Sequence, residues 1–143
     1  MLVRRFALVA GLVYLAVGLL GFVPGLVQPP HAPRELMVEG GYGRLLGIFP
    51  VNHVHNLVHL LIGVWGVLAY RSFGAARVFS KGLAGLYGVL AVLGLIPATE
   101  TLFGVAPLYG HDVWLHAGTA LLAAYFGFAP ARRRLRGRGI MEG

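Results

Sequence analysis

The sequence contains no cysteine. Disulfides, thiolate nucleophiles, iron–sulfur clusters and zinc–thiolate sites are excluded together. Charge is nearly as scarce. Only 12% of the 143 residues are Asp, Glu, Lys or Arg, and just five are acidic, whereas soluble domains run near a quarter charged. With 57% hydrophobic residues and a mean hydropathy of +0.75, neither a water-soluble globule nor a disordered chain fits. Paired carboxylates, a phosphate-binding loop and a nucleophile–base pair are all missing, so no catalytic residue is assigned. The net charge of +7 does not point to nucleic acid. The basic residues sit at the ends of apolar stretches, with no aromatic–basic run among them.

What is present is four apolar stretches, at about 6–23, 51–70, 78–96 and 113–129. Each is about 17–20 residues, or about 26–30 Å as a helix, which matches the hydrocarbon thickness of a bilayer. None alternates as a barrel strand would. The predicted fold is all-α: an integral membrane four-helix bundle forming a single domain over 1–143, with an outer loop at 24–50 and a basic tail at 130–143. All of the 12 Lys and Arg except Arg34 and Arg44 flank the same ends of these stretches. The positive-inside rule therefore places both termini in the cytoplasm. The Arg132–Arg138 tail is expected to meet anionic headgroups. The first stretch has the basic start of a signal peptide but no small-x-small cleavage site after it, and is expected to be retained. Within the outer loop, Pro29-Pro30-His31-Ala32-Pro33 reads as an extended linker, and 35–47 as a short interfacial helix weakened by glycines.

Two offsets relate the halves of the chain. At an offset of 73, Arg4, Phe6, Tyr14, Leu20, Gly21 and Pro24 fall on Arg77, Phe79, Tyr87, Leu93, Gly94 and Pro97. At 57, Leu45, Gly47, Pro50 and His59 fall on Leu102, Gly104, Pro107 and His116. Such a pattern suggests two helical hairpins related by a pseudo-two-fold axis along the membrane normal.

Polar residues concentrate on two faces. Asn52, His55, Asn56, His59, Gly63 and Gly66 share one side of the second helix, and Asp112, His116, Thr119 and Ala123 share one side of the fourth. His53 points elsewhere. Because polar groups are costly in lipid, both stripes should face the bundle interior. His59 and His116 each lie nine residues after a proline, Pro50 and Pro107, which puts them at one depth. Tyr14 and Tyr87 come to the same layer. An i,i+4 pair on each of two facing helices gathers His55, His59, Asp112 and His116 around one ion, and such a set suits zinc, iron or copper. The runner-up is haem b held by His59 and His116 in a cleft opened by Gly63, Gly66 and Gly118. The alternative to any bound ligand, ahead of haem, has the layer making only interhelical hydrogen bonds. In it, Asn52 caps the second helix and Asp112 the fourth.

The segments Phe49-Pro-Val-Asn-His-Val-His-Asn-Leu-Val-His-Leu-Leu-Ile-Gly63, Arg4-Arg-Phe-Ala-Leu-Val-Ala-Gly11 and Asp112-Val-Trp-Leu-His116 resemble a bacterial four-span membrane family, domain of unknown function 4383. The resemblance implies the four-span architecture and a shared polar set of Asn52, His55, Asn56, His59, Asp112 and His116. It also implies a multi-pass protein of the bacterial inner membrane, and it brings no activity. Three functions stand at this level: a membrane module holding a metal or haem, a structural or accessory protein with a protein partner or a second copy of itself, and a metal-dependent oxidoreductase or hydrolase. A transporter is disfavoured because no span is broken at its middle.

Overall fold

The computed structural model describes residues 2–30 and 34–130. It is mostly helical, with four α-helices among the described residues: Leu2–Leu20 (α1), His53–Ala69 (α2), Phe73–Leu95 (α3) and His111–Phe128 (α4). Two of them, α1 and α3, are long and apolar enough to cross a membrane, and α2 is a shorter apolar helix.

Each boundary has a local cause. The Asn52 side chain accepts a hydrogen bond from the His55 amide and caps α2, as expected from the sequence. Ser72 caps α3 in the same way through the Ala75 amide. That cap starts α3 five residues before the apolar run at 78 and was not anticipated, because Phe73–Arg77 mixes small and charged residues. Helix α4 ends at Phe128, where Ala129 turns extended (ψ 135°) because Pro130 follows.

Helix α1 packs along α2, α3 packs along α4, and α1 meets α3 between the two hairpins. Glycine makes the first of these contacts backbone-to-backbone. A Cβ on Gly11 would stand 2.6 Å from the Val67 nitrogen and 2.8 Å from the Gly63 oxygen, and one on Gly66 would stand 2.8 Å from the Gly11 Cα. Small residues permit this approach, and they also occupy the space expected for a haem cleft: Gly63 and Gly66 are closed by α1. Gly118, the third of that set, has nothing near its Cβ position and is exposed. The core between the helices consists of Val3, Ala7, Ile62, Ala69, Ala76, Phe79, Leu83, Tyr87 and Ala123. The outer surface is apolar too: Leu57, Leu61, Val78, Val89, Val92, Leu121 and Tyr125 are all exposed.

The segment between α1 and α2 departs from expectation. In place of a short helix within 35–47 there is a three-stranded antiparallel sheet, Val27–Gln28 (β1), Gly43–Leu45 (β2) and Phe49–Val51 (β3), with Val27 opposite Leu45 and Gly43 opposite Val51. Glycine is the reason. Gly41 and Gly47 adopt φ of 66° and 75°, which a helix does not accept. Of the proline linker, Pro29 and Pro30 carry no regular structure, and His31 and Pro33 lie outside the described residues, as does the arginine-rich tail.

This sheet and the 96–110 connection form a cap over one end of the helices. The Met37 amide donates to the Gly104 carbonyl, Arg34 pairs with Glu100 at 3.0 Å, and the Tyr42 and Tyr109 hydroxyls share a hydrogen bond. Burial, together with that bond, raises the Tyr109 hydroxyl above its usual range. Asn52 ties the cap together: besides capping α2, its amide donates to the carbonyls of Val38 at 3.0 Å and Val105 at 2.8 Å.

Several contacts recur at the two sequence offsets. Arg4 Nε donates to the Tyr70 carbonyl at 2.7 Å, and Arg77 Nε to the Gly127 carbonyl at 2.9 Å. Leu46 and Gly47 have positive φ, and so do Phe103 and Gly104. The Tyr14 ring lies 5.2 Å from that of His59, and Tyr87 lies 4.9 Å from His116.

Two substitutions test this packing. Gly11→Ala forces two helix backbones apart and is expected to destabilise the fold by about 1–3 kcal/mol. Gly85→Ala, where a Cβ meets nothing within 4 Å, should be neutral or slightly stabilising, by up to ~1 kcal/mol. Unfolding in mixed detergent–denaturant titrations measures both. Asn52→Ala removes the α2 cap and both carbonyl bonds, and is expected to speed proteolysis within 34–51 and 96–110 while leaving helix content unchanged by circular dichroism.

Candidate metal centre

The first two turns of α2 and of α4 bring the polar stripes together. Asn52, His55, Asn56, His59, Asp112 and His116 are all buried, whereas His53 is exposed as its position on the helix required. Asp112 does not cap α4. Gly110 (φ 69°) occupies the N-cap without a side-chain bond, and the helix already runs from His111. Asp112 therefore sits inside the first turn with its carboxylate turned to the interior. The sequence could not show this, because a glycine turn and an aspartate cap start the same apolar run.

Three of the four expected ligands converge. One ligand atom each from His55, Asp112 and His116 lies within 4.8 Å of the other two. His55 Nδ1 and Asp112 Oδ2 face each other at 3.8 Å, beyond hydrogen-bonding range. The His55 and His116 ring centroids are 6.3 Å apart. His59 stands one turn further along α2, its ring edge-on to His55 with centroids 4.5 Å apart, and falls outside the converging set. In a tetrahedral zinc site, bond lengths of about 2.0–2.2 Å put neighbouring ligand atoms ~3.3 Å apart. The His55–Asp112 pair, at 3.8 Å, stands about half an ångström wide of that spacing, and no pair of the triad, all within 4.8 Å, is more than ~1.5 Å wide of it. Two imidazoles and a carboxylate leave at least one coordination position open, the pattern of catalytic zinc and non-haem iron sites.

The remaining residues of the expected set divide. Asn56 does not reach the triad: its amide donates to the Gly21 carbonyl at 2.7 Å and fastens α2 to the end of α1. Asn52 is committed to the cap. Tyr14 and Tyr87 do line the layer, their rings 5.4 Å apart across the hairpin interface and each against one histidine. Sequence reasoning overlooked the Pro107 carbonyl, which lies against the His55 ring. Pro107 served only as a register mark there, and the contact depends on how the 96–110 connection folds back.

The Asn56 Oδ1 is buried without a partner. Buried side-chain atoms without a partner include His55 Nδ1, His59 Nδ1, Asp112 Oδ2 and His116 Nδ1, a concentration that is unusual for native interiors. Beside them opens a cavity of about 470 Å3 between α1 and α4. Its walls are apolar, and its floor includes His55, His59 and Asp112.

No curated protein and no solved structure is significantly similar to this chain. The model of one family, the domain of unknown function (DUF4383), matches residues 4–129. Spanning nearly all of the helical region just described, that match makes the chain a member of the DUF4383 family.

Proposed function

We propose that this protein is an integral membrane four-helix bundle that holds one divalent transition-metal ion, zinc or iron, between α2 and α4. His55, Asp112 and His116 are its ligands, and His59 is the neighbouring imidazole that orients His55 or completes the set. The reading rests on one observation: His55, Asp112 and His116, whose ligand atoms lie within 4.8 Å of one another, each keep a buried side-chain atom without a partner. Leaving a buried group unsatisfied costs about 1–3 kcal/mol, and a cation among two imidazoles and a carboxylate offsets that cost for all three at once. The donor set favours a transition metal over magnesium or calcium.

A layer that made only interhelical hydrogen bonds would pair its members with one another, as the Asn56 amide pairs with Gly21. His55 and Asp112, at 3.8 Å, are not so paired. Haem b on His59 and His116 is less well supported. A porphyrin needs a flat slot between those rings, and Tyr14, Tyr87 and His55 lie in that layer.

The membrane setting is inferred from the distribution of side chains. The helices expose many large apolar residues, while α2, α3 and α4 bury polar ones (His55, Asn56 and His59; Ser80; Asp112 and His116), the pattern required where the surroundings are lipid. With Arg4, Arg71, Arg77 and Lys81 at one end of the helices and the Arg34–Glu100 cap at the other, both termini fall on the cytoplasmic side of the inner membrane. The recurring contacts at offsets of 73 and 57 favour two duplicated hairpins in parallel orientation.

Elemental analysis of detergent-purified protein should find about one equivalent of zinc or iron per chain. His116→Ala and Asp112→Asn are expected to weaken that binding by at least ~100-fold, since even outer-shell changes cost 10–100-fold, while His53→Ala leaves it intact. Metal-free wild-type protein would contradict the assignment. The absence of cysteine makes topology simple to test: a Glu39→Cys variant should react with an impermeant maleimide from outside the cytoplasmic membrane, and Arg71→Cys only after that membrane is permeabilised.

A further inference from the structure

The two hairpins are not alike at their flanks. On the α2/α3 side, the Trp65 indole lies over Gly82, 2.7 Å from where a Cβ would stand, and edge-on to Phe79 at 5.1 Å. That side is filled. On the α1/α4 side the positions at the same offsets are Leu122, Val9 and Phe6. Leucine in place of the indole leaves the cavity of about 470 Å3, within the ~300–1,000 Å3 range of small-molecule pockets. All three residues line it. Leu122 and Val9 are each 59% exposed, so the cavity opens sideways, onto the apolar surface between α1 and α4.

Charge decides what fits. A divalent ion held by neutral His55 and His116 and by the single carboxylate of Asp112 carries a net charge of +1. No other acidic residue and no Lys or Arg lines the cavity. An uncompensated charge in such surroundings is costly, and an anionic oxygen at the open coordination position removes it. Hydroxide would balance the charge but would leave an apolar cavity to water, with few polar groups to hold it. An anion with an apolar body satisfies both demands.

Resting on the metal and membrane readings above, we infer that the α1/α4 cleft binds a long-chain carboxylate. Its chain lies along the apolar walls, and its carboxylate completes the coordination of the ion held by His55, Asp112 and His116. It arrives laterally, from the bilayer. At the matching position of the opposite flank, Trp65 covers Gly82.

The test uses the full-length protein in phosphatidylcholine nanodiscs, with metal content measured before any probe is added. The probe is palmitate carrying a diazirine in its chain. Zinc-loaded protein should be photolabelled on α1 and α4, and competition by unmodified palmitate should remove the label. Chelation of the zinc, or replacement of the probe by its methyl ester, should lower labelling at least tenfold. Leu122→Trp should do the same with zinc content unchanged. Should that variant fail to fold, the Val9→Gly/Leu122→Trp pair, which copies the Gly82–Trp65 contact, takes its place. Zinc-loaded protein that resists labelling, or labels equally as the ester or in the tryptophan variant, overturns the carboxylate site and leaves the metal reading standing. Failure to take up zinc, seen before the probe is added, overturns the metal reading itself.

Discussion

A polar atom buried among helices must find a partner, and the histidine layer of this protein is organised around that demand. Asn52 finds its partners in the cap, and the Asn56 amide nitrogen finds one at the end of α1, although the Asn56 Oδ1 keeps none. His55, His59, Asp112 and His116 each keep one atom unpaired. Three of these residues, His55, Asp112 and His116, converge from two helices whose outer faces are apolar. A cation is the partner that accounts for the convergence most simply.

The rest of the architecture makes this convergence possible. Glycine contacts between α1 and α2 set each backbone against the other and hold the stripe of α2 facing inward. The matching arginine-to-carbonyl bonds, Arg4 to Tyr70 and Arg77 to Gly127, close the opposite end of each hairpin. Between the hairpins, Tyr14 and Tyr87 stand ring to ring within the layer, and both pack into the core as well. The cap of short strands and the 96–110 connection then shields the layer from the other side. In the proposed duplication one ancestral hairpin supplied both histidine positions, and the second copy carries Asp112 where the first carries His55. That difference gives the site its one negative charge.

Much of this was legible in the residues. The four helices follow from the lengths of the apolar runs, and the inward stripes from three- and four-residue spacing. The shared depth of His59 and His116 follows from their distances to Pro50 and Pro107. The start of α3 was misplaced because a serine cap carries less signal than hydropathy. The small sheet is hidden in the sequence because strands of two and three residues have no period to detect, and glycines that weaken a helix here build turns. For Asp112 the sequence supports both a ligand and a helix cap, because nothing local distinguishes the two. Only the backbone turn at Gly110 and the distance to His55 reveal its orientation. The open flank between α1 and α4 was also invisible, since a leucine in a tryptophan's place looks like routine variation in an apolar helix.

Cobalt(II) titration, followed by visible absorption, tests the central assignment most directly, because the chain has no thiol to confuse the spectrum. The account requires d–d bands of a low-coordinate nitrogen–oxygen site, saturating at about one cobalt per chain, and lost in Asp112→Asn. A spectrum that stays that of hydrated cobalt throughout, or one indifferent to Asp112, would contradict it.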